Sequence, residues 1–141
     1  MSDSSRQAVA FDHVGLNVAD LDKAAVWYAD ALGLTAGPPF RVPGTDLRAV
    51  MLQHEPSGYR IELLHRPGAR PGMQPTSPED AVLTLGYGHF CLRVDDVRRE
   101  YERLLAAGCS PRMEPREVVR PGALVSYVAD PWGNLIEVLS R

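Results

Sequence analysis

DHVGLNVADLDKAAVWYADALGL, residues Asp12–Leu34, joins a strand-like run to an amphipathic helix, and GHFCLRVDDV, Gly88–Val97, begins the same pattern again. In the first copy Phe11–Val18 has strand character and Asp20 is placed as a helix N-cap. Leu21, Ala25, Tyr28 and Leu32 then form one helical stripe, which Gly33 ends. A shift of 76 positions lays His13 on His89, Val18 on Val94 and Asp20 on Asp96, and lays Leu21, Ala25 and Tyr28 on Val97, Tyr101 and Leu104. Beyond the helix the shift becomes 75, so that Gly33 meets Gly108 and Glu62 meets Glu137. A one-residue change at a helix end is a loop indel. A period this long marks a duplicated module, not a solenoid of short repeats.

The duplication singles out His13, Glu62, His89 and Glu137. His13 precedes Glu62 by 49 positions and His89 precedes Glu137 by 48. All four lie in runs that read as strands: Phe11–Val18, Arg60–His65, His89–Val94 and Leu135–Ser140. Strand interiors seldom hold ionisable groups, because a buried unpaired charge is strongly disfavoured. Two imidazoles and two carboxylates in repeat-matched places point to a divalent metal between the modules, in preference to a pair of core salt bridges. That donor set suits Ni, Co, Zn, Fe or Mn, one ion per site. Four protein ligands on an octahedral ion leave two positions for water or substrate oxygens, and the ion then acts as a Lewis acid.

Composition sets outer limits. The chain has 141 residues, enough for one domain or two small joined modules, and its 45% apolar content supports a real core. A net charge of −3 argues against nucleic acid as a partner. The two cysteines, Cys91 and Cys109, have no zinc-finger or CxxC spacing and suit a reducing, cytoplasmic location. The polar start Met1–Ala10 has no signal-peptide core, and no apolar run approaches the roughly 18 residues of a membrane span.

Three strands are expected after the first helix, around Thr35–Val42, Leu47–Gln53 and Arg60–His65, with Pro56-Ser57-Gly58 as a turn. The second half repeats the order: strand His89–Val94, helix Val97–Ala107, then strands near Pro111–Val119, Ala123–Ala129 and Leu135–Ser140. Asp130-Pro131-Trp132-Gly133-Asn134 forms the last hairpin loop. Between the halves, Pro67, Pro71, Pro75 and Pro78 rule out a continuous helix or central strand, leaving a crossover with one helical turn near Pro78–Val82. It is either a linker or a cover for the site.

Strand alternation names the neighbours. Gly15 and Asn17 share the face of His13, Cys91 and Arg93 that of His89, Leu64 and Arg66 that of Glu62, and Leu135 and Leu139 that of Glu137. Tyr127 lies one hairpin away. Arg93 is a candidate for binding a substrate anion or, equally, a partner for Asp95 or Glu100. Cys91 reads as a small buried filler, His54 as a solvated turn residue and His65 as facing the opposite side from Glu62.

A β-α-β-β-β unit used twice, with His on its first strand and Glu on its last, resembles the vicinal oxygen chelate superfamily of glyoxalase I, methylmalonyl-CoA epimerase, extradiol dioxygenases and the fosfomycin- and bleomycin-resistance proteins. The signs are DHVGLNVADLDKAAVWYADALGL, YRIELL, GHFCLRVDDV and DPWGNLIEV, spread from Phe11 to Ser140. The resemblance implies an α+β fold in which two tandem β-α-β-β-β modules form an open, metal-centred half-barrel, the glyoxalase-like fold. The first module is then residues 8–65, the Pro-rich crossover 66–86 and the second module 87–141. It also implies a homodimer acting on a small-molecule substrate.

Within the superfamily, glyoxalase I-like enzymes use all four ligands, as in this order of His, Glu, His, Glu. By that resemblance Glu137 or Glu62 is the base that moves a proton alpha to a carbonyl through a metal-stabilised enediolate, with Tyr127 as a further catalytic candidate. Asn17, Arg93 and Arg66 are the substrate-binding candidates. Bacterial glyoxalases contact glutathione through an Arg four residues after the first His and an Asn four after the first Glu. Asn17 and Arg66 stand there instead, so a glutathione-bound substrate is not expected. The epimerase base has no counterpart in Val42-Pro43-Gly44-Thr45-Asp46 unless Asp46 replaces it. Tyr127, Asp130, Pro131, Gly133 and Glu137 match the final signature of Fe(II) extradiol dioxygenases, which keeps ring cleavage as the runner-up, although that signature's upstream His is replaced by Val118-Val119-Arg120. A non-catalytic antibiotic-binding protein is the third reading and is disfavoured by four intact ligand candidates.

Overall fold

The computed structural model describes residues 7–141, which form two compact units, Met1–Arg70 and Pro71–Arg141. Each builds one mixed sheet with a helix packed on one face.

The first unit runs β1 (Val14–Asn17), α1 (Leu21–Leu32), β2 (Thr35–Ala36), β3 (Phe40–Arg41), β4 (Arg48–Gln53) and β5 (Arg60–His65). The sheet order is β1-β5-β4-β2, with β3 also pairing β4. β1 and β5 are parallel, and the other pairs are antiparallel. Asp20 caps α1 by accepting from the Lys23 amide at 3.0 Å. Gly33 ends it in the left-handed region at φ 66°, where a side chain would be strained. Leu21, Ala24, Tyr28 and Leu32 bury the helix stripe, so Ala24 lies deeper than the Ala25 expected from the repeat. Ile61 and Leu63 of β5 are buried, and by alternation Glu62 and Leu64 occupy the opposite sheet face.

The second unit runs α2 (Pro78–Ala81), β6 (Phe90–Arg93), α3 (Val97–Ala106), β7 (Ser110–Glu117), β8 (Leu124–Ala129) and β9 (Leu135–Leu139), with sheet order β6-β9-β8-β7. β6 and β9 are again parallel. Val97, Tyr101 and Leu104 are buried on α3, and Ile136 and Val138 on β9. Glu137 therefore occupies the place of Glu62, on the sheet face away from the buried stripe.

Three expectations need correction. The strand expected over Thr35–Val42 is divided into β2 and β3, because Pro38 and Pro39 have no amide hydrogen to give the ladder. His13 and His89 stand one residue before β1 and β6. The ladders start at Val14↔Ile61 and Phe90↔Ile136, one residue inside β5 and β9. Cys91 is exposed, whereas Cys109 is the buried cysteine.

The crossover is tied into the second unit. Ser77 caps α2, Arg112 Nε donates to the Pro75 carbonyl at 2.9 Å, and Gln74 Nε2 donates to the Trp132 carbonyl at 3.0 Å. At the adjoining Gly133, φ 93°, a Cβ would displace the end of the Gln74 side chain.

Candidate metal centre

Each unit brings one predicted His/Glu pair together. In the first, the register sets Gly15 opposite Glu62, and His13 lies two residues before Gly15 on the same side of the chain. His13 Nε2 is 3.7 Å from Glu62 Oε1. In the second, Cys91 is opposite Glu137, and His89 Nε2 is 3.0 Å from Glu137 Oε2. The two carboxylate side chains are mostly withdrawn from solvent, at 19% and 16% exposure, while the imidazoles are about a third exposed. Among the described residues, no group of three or more His, Cys, Asp or Glu side chains is gathered to hold an ion.

The pairs fit a metal on chemical grounds. Ligand atoms about 2.1 Å from one cation stand roughly 3.0 Å apart at an octahedral angle and about 3.4 Å apart at a tetrahedral one. Separations of 3.0 and 3.7 Å thus sit near what neighbouring ligands require. A 3.7 Å separation is also too long for a hydrogen bond, so Glu62 and His13 do not satisfy each other fully.

The surroundings differ. His13 Nδ1 is 2.7 Å from Asp12 Oδ2, and Arg60 Nη1 approaches Asp12 Oδ1 at 3.6 Å. The hydrogen bond to His13, with a smaller contribution from the Arg60 charge, holds the Asp12 carboxyl below its ordinary range. In the second unit, Tyr127 lies directly across from Glu137, with its ring edge-on to His89 at 5.2 Å. Desolvation, followed by the charge and hydrogen bond of Glu137, pushes the Tyr127 phenol up to about 12. The same causes in the same order push the Cys91 thiol up to about 12. Both neighbours therefore remain protonated at neutral pH beside Glu137, and the Cys91 thiol donates to the Leu92 carbonyl at 3.8 Å.

Residues 10–138 match the family described as the Glyoxalase/Bleomycin resistance protein/Dioxygenase superfamily. The chain belongs to this superfamily. It is 28% identical over 133 residues to a lactoylglutathione lyase of Arabidopsis thaliana, covering 93% of this chain and 44% of that protein. With a lactoylglutathione lyase of Haemophilus influenzae it shares 28% identity over 131 residues, covering 92% of this chain and 90% of that one. The chain thus spans less than half the length of its plant relatives but most of the bacterial one. The fold is shared with a glyoxalase family protein of Bacillus cereus (TM-score 0.77, 21% identity, 97% of both chains). It is shared too with glyoxalase I of Zea mays (TM-score 0.71, 24% identity, 92% of this chain and 43% of that one). This superfamily fold is the α+β arrangement of two mixed sheets described above, with no closed barrel.

The remaining superfamily candidates are distributed as follows. Asn17 is exposed at the end of β1, opposite Leu64. Arg66 Nε donates to Asp46 Oδ1 at 2.8 Å beside an open recess of about 570 Å³ that includes Gly44 and Thr45. Asp46 is thereby occupied, so it is not a free base. Arg93 is exposed on β6. Its expected partner Glu100 is taken by Arg103 one helical turn away. His65 Nδ1 meets the Val18 carbonyl at 2.9 Å, and His54 Nδ1 meets Ser57 Oγ at 2.6 Å in its turn, so neither joins the pairs. Sequence reasoning missed Asp12 and Arg60. The signal was present in the repeat: the positions matching them hold Gly88 and Leu135, so the first copy carries polar groups that the second lacks.

Proposed function

We propose that this chain is a divalent-metal-dependent lyase or isomerase of the glyoxalase type, transferring a proton between carbons next to a carbonyl. The observation that carries this reading is the repetition of one His/Glu pair, in the same sheet position, in both units of a chain whose relatives are lactoylglutathione lyases. His13, Glu62, His89 and Glu137 would hold the ion. When bound, it would supply Lewis acidity toward substrate oxygens.

The chain's own groups perform the rest. Glu62 and Glu137 are the two carboxylates placed to take a proton from substrate carbon and return it to the neighbouring carbon. Tyr127 and Cys91 flank Glu137 as neutral groups, and the Tyr127 ring stands edge-on to His89. Asn17, Arg93 and Arg66 are proposed to contact substrate. Asn17 and Arg66 stand where the bacterial glyoxalases contact glutathione, so the substrate is taken not to be glutathione-bound.

Metal analysis of the purified protein should find about one equivalent of Ni, Co, Zn, Fe or Mn per site, and exchange of a substrate C–H next to a carbonyl should need no oxygen. Less than half an equivalent after supplementation would remove the metal reading. Oxygen uptake with a catechol-like substrate would replace isomerisation by ring cleavage. We also propose a homodimer, and mixing Glu62→Gln with Glu137→Gln protein tests its role. Recovered turnover means that each site takes one pair from each copy, and no recovery means that one chain supplies both pairs.

A further inference from the structure

Asp12 has no role in the reading above, yet it makes the shortest polar contact to any of the four ligand candidates. A carboxylate has acceptors only, so its 2.7 Å contact requires the proton of His13 to reside on Nδ1. Nε2 is then left with its lone pair on the Glu62 side, the form in which an imidazole binds a metal. Arg60, in register at the start of β5, approaches the other Asp12 oxygen at 3.6 Å and keeps the carboxylate turned toward the ring. The second unit shows what happens without this device. Gly88 replaces Asp12, Leu135 replaces Arg60, and His89 Nε2 lies 3.0 Å from Glu137. Against an acceptor-only carboxylate, His89 Nε2 must carry the proton, which has to move to Nδ1 before that nitrogen can ligate.

We infer that Asp12, steadied by Arg60, is a positioning residue that presets His13 in its metal-binding tautomer, making the first unit's pair the one that captures the ion. This rests on the proposed metal site. Carboxylates placed behind ligating imidazoles change metal affinity by roughly tenfold to a hundredfold, and the exposure of Asp12 sets the lower end here.

The test uses the full chain in two measurements. Nitrogen-15 spectra of the metal-free protein at mildly alkaline pH should show His13 protonated on Nδ1, and Asp12→Ala should produce a mixture of tautomers while His89 is unchanged. Zinc affinity, read by chelator competition, should fall about tenfold in Asp12→Ala. Asp12→Asn keeps an acceptor oxygen and should recover most of that loss, whereas Arg60→Gln should lose less than Asp12→Ala does. His13 protonated on Nε2 in the parent, or zinc binding by Asp12→Ala within twofold of a parent that binds zinc, overturns the inference. A parent that binds no zinc overturns the metal site itself, and the two failures are thereby told apart.

Discussion

In Met1–Arg70 the His13 ring has a carboxylate behind it and stands 3.7 Å from a glutamate flanked in the register by Gly15 and Met51. In Pro71–Arg141 the His89 ring has no carboxylate behind it and stands 3.0 Å from a glutamate flanked by Cys91 and Tyr127. The strands that carry each His/Glu pair follow one plan, so the difference around the pairs is one of side chains. Duplication supplied two equivalent pairs, and divergence placed the polar support on the imidazole of one and on the carboxylate of the other. A ring held from behind presents a lone pair toward its carboxylate, whereas Glu137 has a phenol and a thiol as its neighbours in the register.

The largest expected effect comes from removing either carboxylate. Glu137→Gln and Glu62→Gln should each lower turnover by roughly a hundredfold to ten-thousandfold with little change in the unfolding midpoint, because a ligand and candidate base is lost from a surface already partly wet. Unchanged turnover in one variant would confine the chemistry to the other unit.

Next in size is the pair of hairpin turns that deliver the glutamates. Asp130 is 2% exposed, and it accepts from the Trp132 and Asn134 amides at 2.9 Å and from the Asn134 side chain at 2.8 Å. Asp130→Ala should cost about 3 kcal/mol in urea unfolding, since buried donors lose a charged acceptor. The corresponding turn of the first unit is closed by His54 and Ser57 at the surface, and His54→Ala should cost less than about 1 kcal/mol. Equal costs would show that the two turns share the task of holding their strands. Gly133→Ala falls between these, at about 1–3 kcal/mol, because a side chain there is strained at φ 93° and pushes the end of Gln74 off the Trp132 carbonyl.

The smallest effect sharpens the contrast at the second glutamate. Cys91 is exposed, yet a thiol pushed up to about 12 is protonated at pH 8, and only the thiolate is a good nucleophile. Alkylation should therefore be slower than for a free cysteine. It should accelerate in Glu137→Gln, because removing the negative charge takes away two of the causes that raise the pKa. A fast-reacting Cys91 in the parent would show that burial and the Glu137 charge do not hold the thiol protonated.

Much of this architecture was legible in the chain. The caps at Asp20 and Gly33, the α1 and α3 stripes, the limits of Arg60–His65 and the Asp130–Asn134 loop depend on residues a few positions apart, and local sterics and hydrogen bonding decide them. The division of the edge strand at Pro38-Pro39 was equally local and was overlooked. Cys91 was misread because hydrophobicity predicts burial only where a partner covers the face, and strand alternation does not say which face is covered.

The sequence by itself determined that two modules each carry a His and a Glu at matched places, since the repeat and the two-residue alternation of strands require nothing beyond the chain. Only the tertiary structure decided which nitrogen faces which oxygen, that Arg60 reaches Asp12, and that Tyr127 and Cys91 flank Glu137. Those contacts join residues 10 to 49 positions apart, and their geometry follows from strand register, which local pattern does not encode.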